Sequence, residues 1–400
     1  MHLPRLAAQP HLTYCTNIHA GERWDEVSHS LNAFVPAIRD AVADGGPMGI
    51  GLRLSGQAAF SLHEPHVLEA FQAQLKSLNA YVFTLNAFPY GTFHGVPVKQ
   101  DVYAPDWTHA ERVRYTLASI DILAALLPEG VDGSISTVPV GFRGACDAPG
   151  AMSTVLSHLV DCVAHMVQIQ HQTGKHIALA LEPEPSCYLE TSQEALQFIQ
   201  NHVRSPAAVA ELSRRLACFQ ERALQALVDH VGVCFDVCHS AVEFEDPAKA
   251  LHDLKQAGIA IPKIQLSSAV RIPQMTAGQL PTVQGFDDEV YLHQVVVEQS
   301  GVITRYVDLP EALTAFHAGH AQGEWRVHCH VPVFLQEAGA ISTTQAQLLQ
   351  TLEACKREGF SSHLEVETYT WDVLPDALKT DSKAQAIARE LLFVKKVLLA

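Results

Sequence analysis

The segment HIALALEPEP (176–185) decides the fold, because its apolar run ends directly on acidic residues. In a strand, alternate side chains share a face, so Glu182 follows Ala178 and Ala180 on the inward face of a barrel. Strands that bring polar carboxyl ends to one site are typical of a (β/α)8 barrel. Three further apolar runs end in the same way on Asp, Glu or His: VGVCFDVCHS (231–240), WRVHCHVPVF (325–334) and HLEVETYTW (363–371).

Strand-like and helix-like segments alternate along the chain, which is the pattern of βα units around a parallel sheet. We therefore predict the α/β class and a (β/α)8 TIM barrel, with residues 1–400 as a single domain. Gly174 and Gly359 are predicted to end helices just before a strand. The strand candidates are 12–19, 48–55, 80–88, 133–141, 176–182, 231–237, 262–268, 325–333 and 363–370. The clearest amphipathic helices are 24–43, 66–79, 154–174 and 343–359.

These strand candidates exceed the eight that a barrel needs, so one of them belongs elsewhere. Two alternating runs about a Ser-Gly turn at 290–309 predict a β-hairpin. We expect residues 270–322 to form an insertion that carries this β-hairpin segment near the barrel mouth. The seventh barrel strand is then either 262–268 or 325–333, and the other segment lies outside the barrel. We favour 262–268.

Charge, hydropathy and cysteine content argue against several classes of protein. The formal net charge of −16 is opposite to what phosphate neutralisation needs, so nucleic acid is not expected as a substrate. No apolar run reaches the length of a membrane span, and segment 1–17 does not look like a secretory signal. The nine scattered cysteines suggest reduced thiols in a cytoplasmic protein.

Glu182 and Asp236 are predicted ligands of a divalent metal ion, because each carboxylate closes an inward-facing strand. The alternative for Glu182 is a solvated carboxylate at a strand end. The alternative for Asp236 is the cap of the next helix. His239 lies three residues after Asp236, where it can bind a substrate oxygen or carry a proton.

The last two segments add further candidates. Glu365 and Glu367 share a face, and two inward carboxylates are costly to bury unless they are paired or bound to metal. Glu367 lies nearer the carboxyl end and is the preferred ligand, which leaves Glu365 as a base or a substrate contact. His328 and His330 also share a face, so both can reach one ion or one substrate, although a single His is more often a core residue.

Earlier strands also end in polar groups that would surround the same mouth. Arg53 is the best anchor for an anion or a hydroxyl group, and His19 and Asn86 are further predicted substrate contacts. Asn17 belongs to the same set. For each of them alone, loop packing is the competing interpretation.

These strand ends resemble the xylose isomerase-like TIM-barrel superfamily of sugar isomerases, epimerases and endonuclease IV-type nucleases. The resemblance implies the metal ligands Glu182, Asp236 and either Glu365 or Glu367, and a DxxH motif ending at His239. The superfamily has His where this chain has Gln265. Either Gln265 itself, or His328 or His330 in its place, completes the shell, with His330 the preferred histidine, or the site binds metal poorly. The implied cofactor is a divalent ion, Zn, Mn or Mg.

Three segments look more specifically like the EboE-type metabolite traffic branch: LTYCTNIHAGERWDEV, VYAPDWTHAERVRYT and LEVETYTWDVLP. That resemblance implies a role in moving a metabolite precursor. It implies a small-molecule metabolite as ligand, without nucleic acid or membrane insertion. A homo-oligomer or partner proteins of the same pathway are also expected.

The function that follows from these resemblances is a metal-dependent isomerase or epimerase for a small polyhydroxylated or carbonyl compound. Glu182 and Glu367 would move the proton, and His239 would complete the catalytic set. His328 or His330 would orient the substrate. Two alternatives stay open: a non-catalytic or weakly catalytic barrel that binds an exported metabolite precursor, and a metal-dependent hydrolase.

Overall fold

Fourteen β-strands are present in the described part of the chain. The computed structural model describes residues 1–338, 341–375, 378–379 and 381–400. In chain order the strands are β1 (His11–Tyr14), β2 (Met48–Arg53), β3 (Ala80–Asn86), β4 (Gly133–Thr137), β5 (Ile177–Leu181), β6 (Val231–Asp236), β7 (Ala260–Leu266), β8 (Ala269–Ile272), β9 (Val295–Gln299), β10 (Val302–Tyr306), β11 (Glu324–His330), β12 (Glu337–Ala338), β13 (Ile341–Thr343) and β14 (His363–Val366).

Eight of these strands are parallel and form a nearly closed barrel in the order β1-β14-β7-β6-β5-β4-β3-β2. The seam between β1 and β2 is closed by a bridge between Cys15 and Gly51. Thr13 strengthens this seam, because its hydroxyl donates to the Gly49 carbonyl at 2.7 Å and accepts from the Gly51 amide at 3.1 Å. The predicted (β/α)8 barrel is confirmed.

Helices cover the outside of the barrel, so its strands are buried on both faces, as expected for a parallel sheet. The predicted caps Gly174 and Gly359 end α5 and α13 with left-handed φ values of 74° and 61°. The helices are α1 (Trp24–Val42), α2 (Gly56–Leu62), α3 (Pro65–Ser77), α4 (Ala110–Leu126), α5 (Ala151–Thr173), α6 (Ser192–Phe198), α7 (Pro206–Leu216), α8 (Gln220–His230), α9 (Val237–Val242), α10 (Pro247–Gln256), α11 (Leu280–Gln284), α12 (Leu309–His317), α13 (Gln345–Glu358) and α14 (Lys383–Leu399).

A second, antiparallel sheet has the strand order β10-β9-β11-β8-β13-β12 and lies in sequence between β7 and β14. Strands β9 and β10 form a hairpin about Ser300 and Gly301, which have φ values of 55° and 82°. Segment 262–268, the favoured candidate, is therefore the seventh barrel strand, β7. Segment 325–333 lies in the second sheet as β11. The strands of this sheet begin at Ala269 and end at Thr343, so the predicted insertion 270–322 covers part of them.

The barrel interior contains a buried ion pair beneath the carboxyl ends of its strands. Lys263 Nζ lies 2.5 Å from Glu365 Oε2, and both side chains are fully buried. A Cβ at residue 51 would overlap Glu365 Oε1, so glycine leaves the space that this carboxylate fills. Lys263 and Glu365 come two residues before Gln265 and Glu367 in the chain.

Two predictions about the whole chain can be compared with the fold. All nine cysteines are free thiols. Within the described ranges, none of the helices combines the length and apolar character needed to cross a bilayer.

Candidate metal centre

At the carboxyl end of the barrel, four buried polar atoms from different parts of the chain have no hydrogen-bond partner among the described residues. Buried polar atoms usually have a partner, so a group of four such atoms in one place indicates a ligand site. The four atoms are Glu182 Oε2, Asp236 Oδ2, Gln265 Oε1 and His330 Nε2. All four can bind a cation, and the ligand atoms of Glu182, Asp236 and Glu367 lie within 4.8 Å of one another. The same separation holds for Asp236, His239 and His330.

Asp236 shows how one side chain serves the fold and the site together. Its Oδ1 caps α9 by accepting the His239 amide at 3.0 Å, and it also accepts the Ser267 hydroxyl at 2.7 Å. The two roles predicted for Asp236, helix cap and metal ligand, would therefore use different oxygens. The cap uses Oδ1, and Oδ2 is left without a partner among the described residues.

Glu182 follows β5 and lies beside Gln265 of β7. The Gln265 side-chain amide donates to Glu182 Oε1 at 2.5 Å. This contact fixes the amide so that its oxygen, the better metal ligand, is the atom left without a partner in the described chain.

Glu367 lies just beyond β14 and is held by two amides from the opposite side of the barrel. Asn17 and Asn86 both donate to Glu367 Oε1, at 2.7 Å and 3.1 Å. Asn86 therefore lies beside the site and has a carboxylate as its partner, and its role as a substrate contact stays a prediction. Asn17, another polar residue from an earlier strand end, binds the same oxygen.

Three histidines lie close together in the site, and each has its Nδ1 atom against a group of the protein. The Nδ1 atoms of His239 and His330 face the backbone oxygens of Pro183 and Glu367, each at 2.9 Å. Carbonyl oxygens only accept, so these Nδ1 atoms carry hydrogen, and in the neutral rings each Nε2 has a free lone pair.

The third ring, His328, is fixed through Gln294. The Gln294 side-chain nitrogen donates to the Pro185 carbonyl at 3.0 Å, so its oxygen faces His328 Nδ1 at 2.7 Å. His328 Nε2 then points at His239 Nε2, 3.1 Å away. Imidazole nitrogens arranged in this way are ready to bind a proton or a metal ion.

Both β11 histidines reach the site because the strand is irregular there. The register of β11 against β8 shifts between Val327 and His330. Such a shift re-aims side chains near a site. His328 and His330 come from the second sheet, so this sheet contributes directly to the centre built on the barrel.

Burial and like charge raise the pKa values of the two opposed glutamates. Burial, and the nearby Asp236 carboxylate, raise the pKa of Glu182 to about 7. Burial, together with the Glu182 and Asp236 carboxylates, raises the pKa of Glu367 well above its usual range. Three carboxylates therefore do not all carry charge at neutral pH with the protein groups alone.

The pKa values of Asp236 and of two neighbouring histidines are also shifted. Burial acts to raise the pKa of Asp236, but the His239 and His330 rings and the Ser267 hydrogen bond outweigh it, and that pKa is lowered. Burial acts to lower the pKa of His239, but the carboxylates of Asp236 and Glu184 raise it overall. Burial lowers the pKa of His330 to about 4.

Other predicted contacts lie away from this centre. Arg53 donates to the carbonyls of Gly21 and Gly91 and pairs with Glu22 at 2.9 Å. Its guanidinium is therefore occupied by contacts with loop residues. His19 stacks on Phe34 with ring centroids 4.2 Å apart. Glu365 is paired with the buried Lys263, as described above. Their predicted roles as substrate contacts stay predictions.

A chain of buried, hydrogen-bonded polar residues lies behind His328. Apart from the acidic segment EPEP (182–185), nothing in the sequence indicated it. Tyr103 donates its hydroxyl to Glu184 Oε1 at 2.6 Å, and Gln294 donates to Tyr103 at 2.8 Å. Burial raises the pKa of Glu184. Gln294 and Tyr103 lie far apart in sequence from Glu184, so only the fold brings them together.

The donor set fits a divalent cation. Carboxylate oxygens, an amide oxygen and an imidazole nitrogen are the ligands used by ions such as Mn²⁺ and Zn²⁺. The unpartnered atoms supply what an ion would coordinate, and Glu182 and Asp236 supply negative charge. Gln265 and His330 both present a free donor atom, so the structure leaves room for either in the shell.

A search of solved structures finds barrels of the kinds that the strand-end motifs resemble. A xylose isomerase domain protein from Planctomyces limnophilus is 15% identical with a TM-score of 0.48, over 88% of this chain and 89% of that chain. An L-ribulose 3-epimerase is 12% identical with a TM-score of 0.48, over 97% of this chain and 94% of that chain.

A third structure, the IOLI protein with a bound zinc atom, is 14% identical with a TM-score of 0.47, over 97% of this chain and 98% of that chain. At these identities and TM-scores no activity follows for this chain. No protein-family model and no curated protein matches it. The metabolite traffic branch therefore stays a prediction.

Proposed function

We propose that the protein is a divalent-metal-dependent isomerase or epimerase that moves a proton next to the carbonyl group of a small hydroxycarbonyl compound. The observation that carries the proposal is the pairing of Glu182 and Glu367 in one buried site. Their carboxyl oxygens lie within 4.8 Å of Asp236 and of each other, at the floor of a cavity. The cavity leaves about 50 Å³ for the centres of water-sized molecules, which is room for several waters or a small bound group.

Glu182, Asp236 and Glu367, with Gln265 or His330, would hold the ion. The mixed oxygen and nitrogen donors suit Mn²⁺ or Zn²⁺ better than Mg²⁺, which prefers oxygen ligands in near-octahedral geometry. A bound divalent ion would polarise a carbonyl or hydroxyl oxygen of the substrate and stabilise negative charge on it.

The two glutamates can supply the proton transfers. A general acid or base works best when its pKa lies near the working pH, and that of Glu182 is about 7 with the protein groups alone. A nearby cation would favour the charged form of a carboxylate that binds it. With one glutamate charged and the other protonated, the charged one would take the proton from carbon and the protonated one would return its own proton, so one proton is removed and one is returned in each turnover.

The histidine pair can position the substrate hydroxyl groups. His328 is held with Nε2 as an acceptor by Gln294, and burial lowers its pKa well below the usual range. His239 has a raised pKa and can donate from Nε2. An acceptor and a donor side by side match a hydroxyl group and a neighbouring carbonyl oxygen.

The test is exchange of carbon-bound hydrogen in deuterated water, followed by NMR, with protein loaded with Mn²⁺ or Zn²⁺ and a panel of hydroxyketones. We expect exchange at the carbon next to the carbonyl. Glu182→Gln and Glu367→Gln should each lower its rate by at least about 100-fold. Glu221→Gln, at an exposed helix position, is the control and should keep the full rate.

Metal-loaded protein that binds panel compounds but exchanges no hydrogen on any of them would contradict the proposal. That result would support the alternative of a barrel that binds a metabolite without converting it. Metal content and ligand-dependent thermal stabilisation distinguish it from a protein that binds no metal at all.

A further inference from the structure

The cavity above the carboxylates has a polar floor and an apolar wall. The floor is formed by polar residues of the site, namely Asn17, Asn86, Glu182, Glu184, His239, His328 and Glu367. The wall residues are Phe88, Pro89, Phe93, Val98, Val102 and Leu292, together with the rings of Tyr103, Tyr291 and Tyr369. A ligand in this cavity therefore meets hydrogen-bonding groups at one end only.

The tyrosine hydroxyls do not make the wall polar, because most of them are engaged with the protein. Tyr103 donates to Glu184 at 2.6 Å, and Tyr291 bonds to His94 Nδ1 at 2.7 Å. Tyr369 directs its hydroxyl at His328 Nε2, 3.5 Å away on the floor side. A ligand would therefore meet mainly the aromatic rings of these tyrosines.

Three of the rings pack against one another and give the wall a preformed shape. The ring centroid of Phe93 lies 5.2 Å from that of Tyr291 and 5.3 Å from that of Tyr369. The two tyrosine rings are 5.1 Å apart. The Arg53 guanidinium lies over the Phe93 ring, 5.5 Å from its centroid, which anchors this cluster from outside the cavity.

Among the described residues, no lysine or arginine of the cavity is free to pair with a phosphate or carboxylate group. Lys99 is the one lysine or arginine that lines it within the described chain. Its Nζ lies 2.8 Å from Asp308 Oδ2 and donates to the Asp288 carbonyl at 3.0 Å. A phosphorylated substrate would bring a double negative charge to a site that already holds Glu182, Asp236 and Glu367.

We propose that the substrate is an uncharged hydroxycarbonyl compound that carries an apolar ring, rather than a free sugar or a sugar phosphate. The inference rests on the proposed function of the site for the placement of the reacting oxygens. Sugar hydroxyl groups along the aromatic wall would lose water without gaining a hydrogen-bond partner, which weakens binding. A ring in the same place gains from apolar burial and ring stacking.

The test is calorimetric binding of matched probes to Mn²⁺-loaded protein, which does not depend on turnover. Hydroxyacetone and 2-hydroxyacetophenone have the same hydroxyketone head, with a methyl group in one and a phenyl group in the other. We expect the phenyl compound to bind at least about tenfold more tightly, since the ring adds apolar burial. D-Xylulose and dihydroxyacetone phosphate should bind no more tightly than hydroxyacetone.

Variants of the wall separate its contribution from that of the floor. Phe93→Ser should lower the preference for phenyl over methyl severalfold, and Leu292→Asn should do the same without breaking the ring cluster. Phe219→Ser is the control, because Phe219 is 80% exposed and does not line the cavity. Thermal unfolding of each variant identifies those that have failed to fold.

Equal binding of the methyl and phenyl probes, or tighter binding of D-xylulose or the phosphate, would overturn this inference. Failure of the proposed function gives a different result. In that case the phenyl preference is present while hydrogen exchange is absent, so the inference stands and the isomerase proposal falls.

Discussion

His239 Nε2 and His328 Nε2 lie 3.1 Å apart, and neither ring is free to turn its hydrogen-bearing nitrogen toward the other. Pro183 and Gln294 hold the two Nδ1 atoms as donors. Two lone pairs at this distance repel, so a positive charge must lie on or between the rings. Because His239 is the ring whose pKa is raised, it carries the proton when no metal ion is bound.

We therefore expect His239 to be doubly protonated at pH 6 in chelator-treated protein, with His328 and His330 neutral and protonated on Nδ1. Long-range ¹H–¹⁵N spectra of histidine-labelled protein report these states, and His239→Gln and His328→Gln assign them. Since the folded pKa of His239 is raised, its contribution to stability is complete below the unfolded value and falls as pH rises through the folded value. A neutral His239 at pH 6 would contradict this account.

Glu182 makes the metal-free protein less stable as the pH rises. Its pKa is raised from 4.5 to about 7, so the unfolded chain releases this proton more readily than the folded one. Folded stability attributable to this group is therefore lost between about pH 4.5 and 7, on the order of 1–3 kcal/mol. Urea unfolding in chelator at pH 5 and pH 8 measures the change.

Glu182→Gln should flatten this pH dependence, because glutamine does not titrate. The difference between the wild type and the variant isolates Glu182 from Glu243 and Glu390, whose pKa values burial also raises to about 7. The same variant should bind Mn²⁺ or Zn²⁺ more weakly. A variant with the wild-type pH dependence would show that Glu182 does not titrate as the geometry requires.

Asn17 and Asn86 should support metal binding through Glu367. Both amides donate to Glu367 Oε1 and favour its charged form. Asn17→Ala and Asn86→Ala should each lower metal affinity about 10- to 100-fold, as loss of a group that orients a ligand usually does. Asn32→Ala, at an exposed position of α1, is the control, and equal affinities in all three variants would contradict the prediction.

The Lys263–Glu365 pair should be strongly coupled because both side chains are fully buried. Lys263→Met leaves a buried carboxylate without its cation and should lower the free energy of unfolding by about 3–5 kcal/mol. The double variant with Glu365→Leu should recover much of this loss, as measured by urea unfolding. Lys249→Met removes an exposed pair with Asp253 and should leave the free energy of unfolding almost unchanged, because solvent screens that pair.

Sequence periodicity alone was enough to predict the barrel. The run ALALE predicts an inward-facing Glu182, and the helix cap that was one of the two interpretations of Asp236 is present. These two inferences succeed because strand alternation and helix capping are local properties of the chain. The role of Asp236 as a metal ligand stays a prediction. The choice of 262–268 as the seventh strand follows from the same local reasoning and agrees with β7.

Tertiary structure decided which donor atoms meet. His328 and His330 lie on a strand outside the barrel, and only the packing of the second sheet and the shift in β11 bring them to Asp236 and His239. Gln294, whose amide fixes His328, has no local signal at all. Strand patterns place each side chain on a face of its own element, whereas the pairing of free donor atoms depends on long-range packing that no local pattern contains.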